Sequence, residues 1–159
     1  IREAIKIYGT HEIQGSKSNP EILKWAKECG LEKIYTNDDT AWCGLFMAVT
    51  LLRSGYSPLQ SYDALRAKEW AKFGIQKNIA ELGDILVFER SGGGHVGYYV
   101  GEDEMAYHVL GGNQGNTVCI VRILKQRCMT IRSVPYNKKP NNIRVIYINA
   151  NGEVSKNEG

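Results

Sequence analysis

Residues 41–52 read AWCGLFMAVTLL and form the longest apolar stretch of the chain. Apolar side chains cover almost the whole circumference of such a helix, which predicts a helix buried in the core rather than one on the surface. The polar loop before it, residues 36–40, offers capping side chains, so we expect Asp39 or Thr40 as the N-cap. The stretch is shorter than the roughly 20 residues that a membrane-spanning helix needs, and we expect no membrane span.

The rest of the chain places helices before strands. Upstream of the buried stretch, Asn19-Pro20-Glu21 is typical of a helix start, and residues 63–73 predict a further helix downstream. From Gly83 onwards, short runs rich in β-branched and aromatic residues predict five strands, at residues 84–88, 96–100, 105–110, 118–124 and 143–148. This order predicts an α+β fold with an antiparallel sheet. We expect one domain over residues 1–150 and a polar tail, residues 151–159, that frays.

Composition and charge narrow the class of protein. The chain has 159 residues, of which 43% are hydrophobic and 23% are charged, and this composition is typical of a globular domain rather than a disordered chain or a coiled coil. The net charge is +3, and the lack of a long basic run disfavours a nucleic-acid partner. No signal-peptide pattern follows Ile1. We expect the protein to be a monomer.

Cys43 is the first candidate for chemistry, because it falls in the first turn of the predicted buried helix. Unpaired N–H groups and the positive end of the helix dipole lie there, so we expect a lowered thiol pKa and a nucleophilic thiolate. A buried cysteine acting as a small apolar side chain is one alternative, and a disulfide that includes Cys43 is another. The remaining cysteines, Cys29, Cys119 and Cys128, show no CxxC spacing, which disfavours a zinc or redox motif.

His95 is the candidate general base, because it follows three glycines, residues 92–94, and opens a predicted strand. Alternation along the strand places His95 and Gly97 on one face, so we expect open space beside the imidazole. A solvated loop histidine is the alternative. Of the other two histidines, His11 falls in a polar turn region, and His108 lies in mid-strand, where a structural histidine is the better interpretation.

The turn at residues 111–116, GGNQGN, offers a third group. A Cys/His dyad commonly has a partner that orients the imidazole, and an amide oxygen serves this purpose. We favour Asn113, because its short side chain has fewer rotamers to freeze, and Gln114 is the alternative. Adjacent residues point to opposite faces, so only one of the two should reach the imidazole of His95. An ordinary hairpin turn without a catalytic part is a further alternative.

Four motifs together resemble a known superfamily. They are DTAWC at residues 39–43, GDILVF at 83–88, GHVGYYVG at 94–101 and VLGGNQ at 109–114. In this order they resemble the CHAP and NlpC-type superfamily of papain-like cysteine hydrolases, and the phage-lysin-like branch above all. The resemblance covers about residue 1 to about residue 125. It implies an α+β papain-like fold in which N-terminal helices pack on an antiparallel β-sheet.

The resemblance also implies a role for each matching residue. Cys43 would attack an amide carbonyl, His95 would act as general base and then as acid, and Asn113 or Gln114 would orient His95. The backbone N–H of Cys43 would belong to the oxyanion hole. We further expect substrate contacts from Trp42, Asp39 and Gly94, with a place in the core as the alternative for Trp42. We expect no cofactor. We also expect no metal, and the 12-residue pattern of calcium loops is missing around Asp39.

The substrate that the resemblance implies is bacterial peptidoglycan, cleaved at an amide bond through a thioester. We expect an endopeptidase of the stem peptide; an N-acetylmuramoyl-L-alanine amidase and a catalytically idle wall-binding domain are the alternatives. The expected place of action is the bacterial wall, reached from the periplasm or by secretion. A phage-type lysin and a secreted antibacterial effector both fit, and the effector would imply an immunity protein as partner.

Overall fold

The computed structural model describes residues 1–13, 15, 17–150 and 152–158. The helices are α1 (Arg2–Lys6), α2 (Pro20–Glu28), α3 (Cys43–Arg53) and α4 (Ser61–Leu65), with 3₁₀ helices at Ala67–Lys72 and Lys125–Arg127. The strands are β1 (Ile75–Lys77), β2 (Ile85–Arg90), β3 (Gly93–Glu102), β4 (Ala106–Gly111), β5 (Cys119–Leu124) and β6 (Cys128–Ser133). The helices precede most of the strands, and the predicted α+β class is confirmed.

The six strands form one antiparallel sheet in the order β1-β6-β2-β3-β4-β5. Strands β2 to β5 match the first four predicted strands within a few residues. The fifth prediction is wrong, because residues 143–148 form no named strand and contribute only an isolated bridge from Tyr147 to Glu102. Strands β1 and β6 were not expected, and β6 lies inside the sheet between the edge strand β1 and β2.

Apolar side chains cover both faces of the sheet. One set packs with α1, α2 and α3 and includes Ile85, Val87, Val96, Tyr98 and Leu110. The other set covers the opposite face and includes Leu86, Phe88, Tyr99, Val109, Ile123 and Ile131. Alternation along each strand explains this division, since neighbouring residues point to opposite faces.

Helix α3 is the most buried helix, as its sequence predicts. Every residue from Cys43 to Leu51 is buried. Its N-cap differs from the prediction, because Trp42 takes that position and its side chain accepts no capping hydrogen bond. In the loop before the helix, Asn37 accepts bonds from the backbone and hydroxyl of Thr40, so the capping side chains stabilise the loop instead.

The predicted helix at residues 63–73 is interrupted. Arg66 has extended backbone angles and separates α4 from the 3₁₀ helix Ala67–Lys72. The indole of Trp70 donates to the carbonyl of Ala64 and ties the two pieces together. Within the described ranges, no helix has the length and apolarity needed to cross a membrane.

The polar tail also departs from the prediction. Residues 151 and 159 lie outside the described residues, but residues 152–158 lie along the sheet rather than fraying from it. Ser155 donates its backbone N–H to the carbonyl of Arg122 in β5, and Glu158 is only 1% exposed. The ion pair between Arg127 and Glu158 and several long-range hydrogen bonds hold this segment, and such contacts leave no periodic signal in a sequence.

Candidate active site

Cys43 begins α3 and borders a cavity of about 350 Å³. The cavity is lined by Ala41, Cys43, Leu65, Arg66, Ala67, Lys68, Glu69, Arg90, Gly92, Gly93 and Gly94. One wall is therefore the segment after α4, and the other is the hairpin between β2 and β3. The thiol lies where these walls meet the start of α3, which is the position that the sequence predicts for a nucleophile.

The pKa of the Cys43 thiol moves in the direction opposite to the expectation. Burial raises it, while the backbone N–H groups of Val96, Gly44 and Cys43 itself act in the lowering direction by hydrogen bonding to the sulfur. The helix start thus contributes as predicted, but the loss of hydration outweighs it. At neutral pH the enclosed side chain is a thiol, and attack on a substrate requires a base to remove its proton.

His95 lies in β3 between two residues that border the thiol. Gly94, on one side of His95, lines the same cavity as Cys43, and the N–H of Val96, on the other side, points to the sulfur. The structure therefore brings the main chain beside His95 against Cys43, although 52 positions separate the two residues in the sequence. The side chain of His95 pairs with Phe88 on the sheet face opposite to Val96, and among the described residues its hydrogen-bond partner is Gln114 rather than the thiol. The imidazole is 2% exposed.

Gln114, the alternative third residue, is the one that contacts the imidazole. Its Oε1 lies 2.9 Å from Nε2 of His95. Its Nε2 donates to the backbone carbonyls of Cys119, at 2.6 Å, and Val109, at 3.2 Å. These two carbonyls accept only from the NH₂ end of the amide, so the oxygen end must face His95. Nε2 of His95 then carries a proton, and Nδ1 has the free lone pair of a base.

Asn113, the favoured third residue, points elsewhere. Its Oδ1 accepts from the backbone N–H of Trp42 at 3.3 Å, and its Nδ2 donates to Glu12 at 3.3 Å. The preference for Asn113 is therefore wrong in position, although the expectation that only one of the two neighbours reaches His95 holds. Asn113 has a positive φ of 57°, which turns its side chain towards the start of α3.

The three predicted substrate contacts meet different outcomes. Gly94 lines the cavity, as expected. Trp42 is fully buried, packs edge-on against Trp25 with 6.0 Å between ring centroids, and donates its indole N–H to Glu12 at 3.0 Å. Its predicted contact with substrate is wrong, and the core alternative applies. Asp39 is exposed in the loop before α3 and is not among the residues that line the cavity.

The glycine that makes room for the imidazole is Gly111 rather than Gly97. A Cβ on Gly97 would lie 2.6 Å from Val109 Cγ1, so that space is filled by the neighbouring strand. A Cβ on Gly111 would lie 2.7 Å from Oε1 of Gln114 and 3.2 Å from Nε2 of His95. Glycine at position 111 is therefore what lets the amide and the imidazole approach each other.

Burial also sets the protonation of His95. It lowers the pKa of the imidazole to about 4, while the bond to Gln114 and the nearby carboxylate of Glu158 act in the raising direction. Arg90 and Arg127 act in the lowering direction. At neutral pH the imidazole of His95 is therefore neutral and the side chain of Cys43 is a thiol, so the two residues do not form a preformed ion pair.

The other two histidines lie outside this arrangement. Nε2 of His108 bonds to Asp103 at 2.8 Å, and Arg122 binds the same carboxylate, which is the structural role expected for His108. His11 is exposed and forms an isolated bridge with Thr117.

Several site residues carried no signal in the sequence. The cationic side chains Arg66, Lys68 and Arg90 line the cavity, but they share no spacing that would group them. Arg127 and Glu158 carry charges that act on the pKa of His95. They come from two segments to which the sequence analysis assigned no function.

Over the described part of the chain, His, Cys, Asp and Glu side chains form no group of three that could hold a metal ion. All four cysteines are free thiols, which removes the disulfide alternative for Cys43 in this structure. In a comparison with protein families and with curated proteins, none matches the chain.

Proposed function

We propose that this chain is a cysteine hydrolase that cleaves an amide bond of peptidoglycan through a thioester. One observation carries the proposal: the Cys43 thiol, at the start of α3 and on a cavity wall, lies against the residues on both sides of His95, whose Nε2 is held by Gln114. A nucleophile, a base and an orienting amide are the three groups that acyl transfer by a thiol needs, and catalysis requires Nδ1 of His95 to come within hydrogen-bond reach of the thiol.

The first half of the reaction forms the thioester. Nδ1 of His95 takes the thiol proton while the sulfur of Cys43 attacks the amide carbonyl carbon. The carbonyl oxygen becomes an oxyanion, and the unpaired N–H groups at the start of α3 are its donors. When the C–N bond breaks, the proton on Nδ1 passes to the leaving nitrogen. An amine departs and an acyl group remains on Cys43.

The second half restores the enzyme. Nδ1 of His95 removes a proton from water, and the resulting hydroxide oxygen attacks the thioester carbonyl. The C–S bond breaks, the sulfur takes the proton back from Nδ1, and a carboxylic acid leaves. Throughout, Gln114 accepts from Nε2 whether the imidazole is neutral or charged.

The choice of peptidoglycan rests on the resemblance of the four motifs and on the charge of the cavity. Arg66, Lys68 and Arg90 outnumber the one acidic lining residue, Glu69, so the cavity suits a substrate that carries carboxylates. An endopeptidase of the stem peptide is the preferred activity, and the amidase is its alternative. Both use the same chemistry at Cys43, and the bacterial wall is the place of action, as a phage-type lysin or as an effector with an immunity protein.

Purified sacculi digested with the protein and resolved by mass spectrometry of muropeptides test this proposal. An endopeptidase shortens or uncouples stem peptides that stay attached to glycan, whereas an amidase releases whole stem peptides from it. Sedimentation of the protein with sacculi, without any new muropeptide, would instead indicate the wall-binding alternative and overturn the proposal.

A further inference from the structure

Residues 152–158, here called the strap, cross the end of the sheet beside His95. The backbone N–H of Ser155 donates to the backbone carbonyl of Arg122 at 2.7 Å. The carbonyl of Ser155 accepts from the guanidinium of Arg127 at 2.9 Å. Asn157 accepts from Arg90 at 2.8 Å. Because Arg90 also lines the Cys43 cavity, the strap reaches from the wall of that cavity to the far side of His95.

The strap places a carboxylate in a closed cationic site. The two oxygens of Glu158 pair with the two terminal nitrogens of Arg127 at 2.8 and 2.7 Å. The backbone carbonyl of Glu158 accepts from Gly115, the residue after Gln114, at 3.0 Å. This two-point geometry is the strong form of carboxylate recognition, and it lies next to the group that orients His95.

A further contact of Arg127 orients its guanidinium for binding a carboxylate. Its Nε donates to the carbonyl of Glu89 at 3.1 Å, which fixes the plane of the guanidinium and leaves both terminal nitrogens for a carboxylate. Burial acts to raise the pKa of Glu158, but the bonds and charge of Arg127, together with His95 and Ser155, outweigh burial and the pKa is lowered. An unpaired carboxylate at 1% exposure would be costly, so Glu158 occupies this place only because Arg127 binds it.

We propose that Arg127 forms a carboxylate-binding subsite beside His95 and that Glu158 of the strap fills it as an internal occupant that an acidic substrate group displaces. The proposal rests on the proposed function of Cys43 and His95. It makes Arg127 a specificity residue for a substrate with a carboxylate near the bond that is cut. It also makes the strap a competitor of that substrate, so the closed strap raises KM and leaves kcat unchanged.

Removing the charge of Glu158 tests the competition. In Glu158→Gln the strap loses its ion pair, and we expect KM for a soluble muropeptide with a free carboxylate to fall about tenfold at constant kcat. Glu153→Gln is the matched control, because it removes the same charge from an exposed strap residue and should leave KM unchanged. A strap that serves only as a structural anchor predicts an unchanged or higher KM in folded Glu158→Gln, and that result overturns the proposal.

A binding measurement separates this proposal from the proposed function. The peptide Gly-Glu-Val-Ser-Lys-Asn-Glu, which copies residues 152–158, is titrated by calorimetry into protein that carries both Cys43→Ala and Glu158→Gln. We expect binding, and at least tenfold weaker binding when the last Glu of the peptide is Gln or when Arg127→Gln is added. Equal or undetectable binding of both peptides by the folded protein overturns the subsite, even where hydrolysis is observed. Binding by a protein that never hydrolyses sacculi overturns the function and keeps the subsite.

Discussion

At His95, one side-chain hydrogen bond decides which ring nitrogen carries the proton. The amide of Gln114 is itself held by the carbonyls of Val109 and Cys119, so its oxygen cannot turn away from the imidazole without breaking two bonds. The base nitrogen is thereby assigned to Nδ1. Gln114, three positions after the end of β4, thus sets the tautomer of a residue in β3.

Removing the side-chain amide of Gln114 should therefore lower the turnover number kcat. We expect Gln114→Ala to lower kcat on a muropeptide by about 10²-fold, since the imidazole loses its fixed tautomer and orientation. Gln114→Glu keeps an acceptor for Nε2 and should recover part of the loss. Asn113→Ala, which removes a contact to the start of α3, should act mainly on stability. A large loss of kcat in Asn113→Ala with an unchanged Gln114→Ala would reverse the assignment.

The buried, neutral imidazole also predicts how stability depends on pH. In the unfolded chain His95 gains a proton near its ordinary pKa of 6.5, whereas in the folded protein burial lowers that pKa to about 4. Between these values the unfolded state binds more protons, so the free energy of unfolding must fall as the pH falls from about 6.5 to about 4. Among the charges around the ring, Glu158 acts to raise the pKa of His95, and Arg90 and Arg127 act to lower it.

Urea unfolding of wild type and His95→Gln at several pH values measures this slope. The difference in unfolding free energy between the two proteins should change steadily across the window and be constant above pH 7. A difference that does not vary with pH would contradict the lowered pKa of His95.

Among the elements, α3 is the one whose position fixes Cys43, the proposed nucleophile. It packs against α4 through Gly44, where a Cβ would lie 2.3 Å from the carbonyl oxygen of Ala64. Because this contact joins the main chains of two helices, neither helix can easily move aside to admit a Cβ at position 44. The close approach holds the first turn of α3, and with it Cys43, against the segment that forms one wall of the cavity.

Gly44→Ala should therefore destabilise the protein by about 1–3 kcal/mol, the usual cost of overpacking a core. Gly152→Ala is a suitable comparison for stability, because its nearest contact would be Arg122 at 3.9 Å. Urea unfolding monitored by tryptophan fluorescence gives both values. Equal stability of Gly44→Ala and wild type would show that the contact between α3 and α4 is not tight.

The elements also show how far sequence reasoning reaches. Helix α3 and strands β2 to β5 could be predicted because uniform or alternating apolarity records their burial directly. Strand β6 was missed because most of its residues are half-exposed or exposed, so its alternation is weak. The helix over residues 63–73 was predicted as one piece because nothing in its local sequence announces the extended backbone of Arg66.

The same limit applies inside the site. Cys43 and His95 were identified from local context, since a helix start and a strand start are local features. The choice between Asn113 and Gln114 depends on the direction of a turn residue with a positive φ, which rotamer entropy does not decide. The pairing of Glu158 with Arg127 joins segments that are distant in sequence, and no periodic pattern encodes it.

Across the whole molecule, the site is an assembly of separate segments on one sheet. The start of α3, the start of β3, the turn after β4 and the strap meet around His95. The two apolar sets on the faces of the sheet hold the helix and strand segments in place, and the Arg127–Glu158 ion pair with neighbouring hydrogen bonds holds the strap. The apolar core thus fixes the positions of the site segments, whereas a few polar contacts fix the protonation of His95 and the position of the strap.

Release of muropeptides from purified sacculi by wild type, Cys43→Ala and Cys29→Ala tests the central claim most directly. Cys29 is a half-buried thiol at the end of α2, away from the cavity, and it serves as the matched cysteine control. The account predicts that wild type and Cys29→Ala release the same products at similar rates and that folded Cys43→Ala releases none. Release of those products by folded Cys43→Ala would contradict the assignment of Cys43 as the nucleophile.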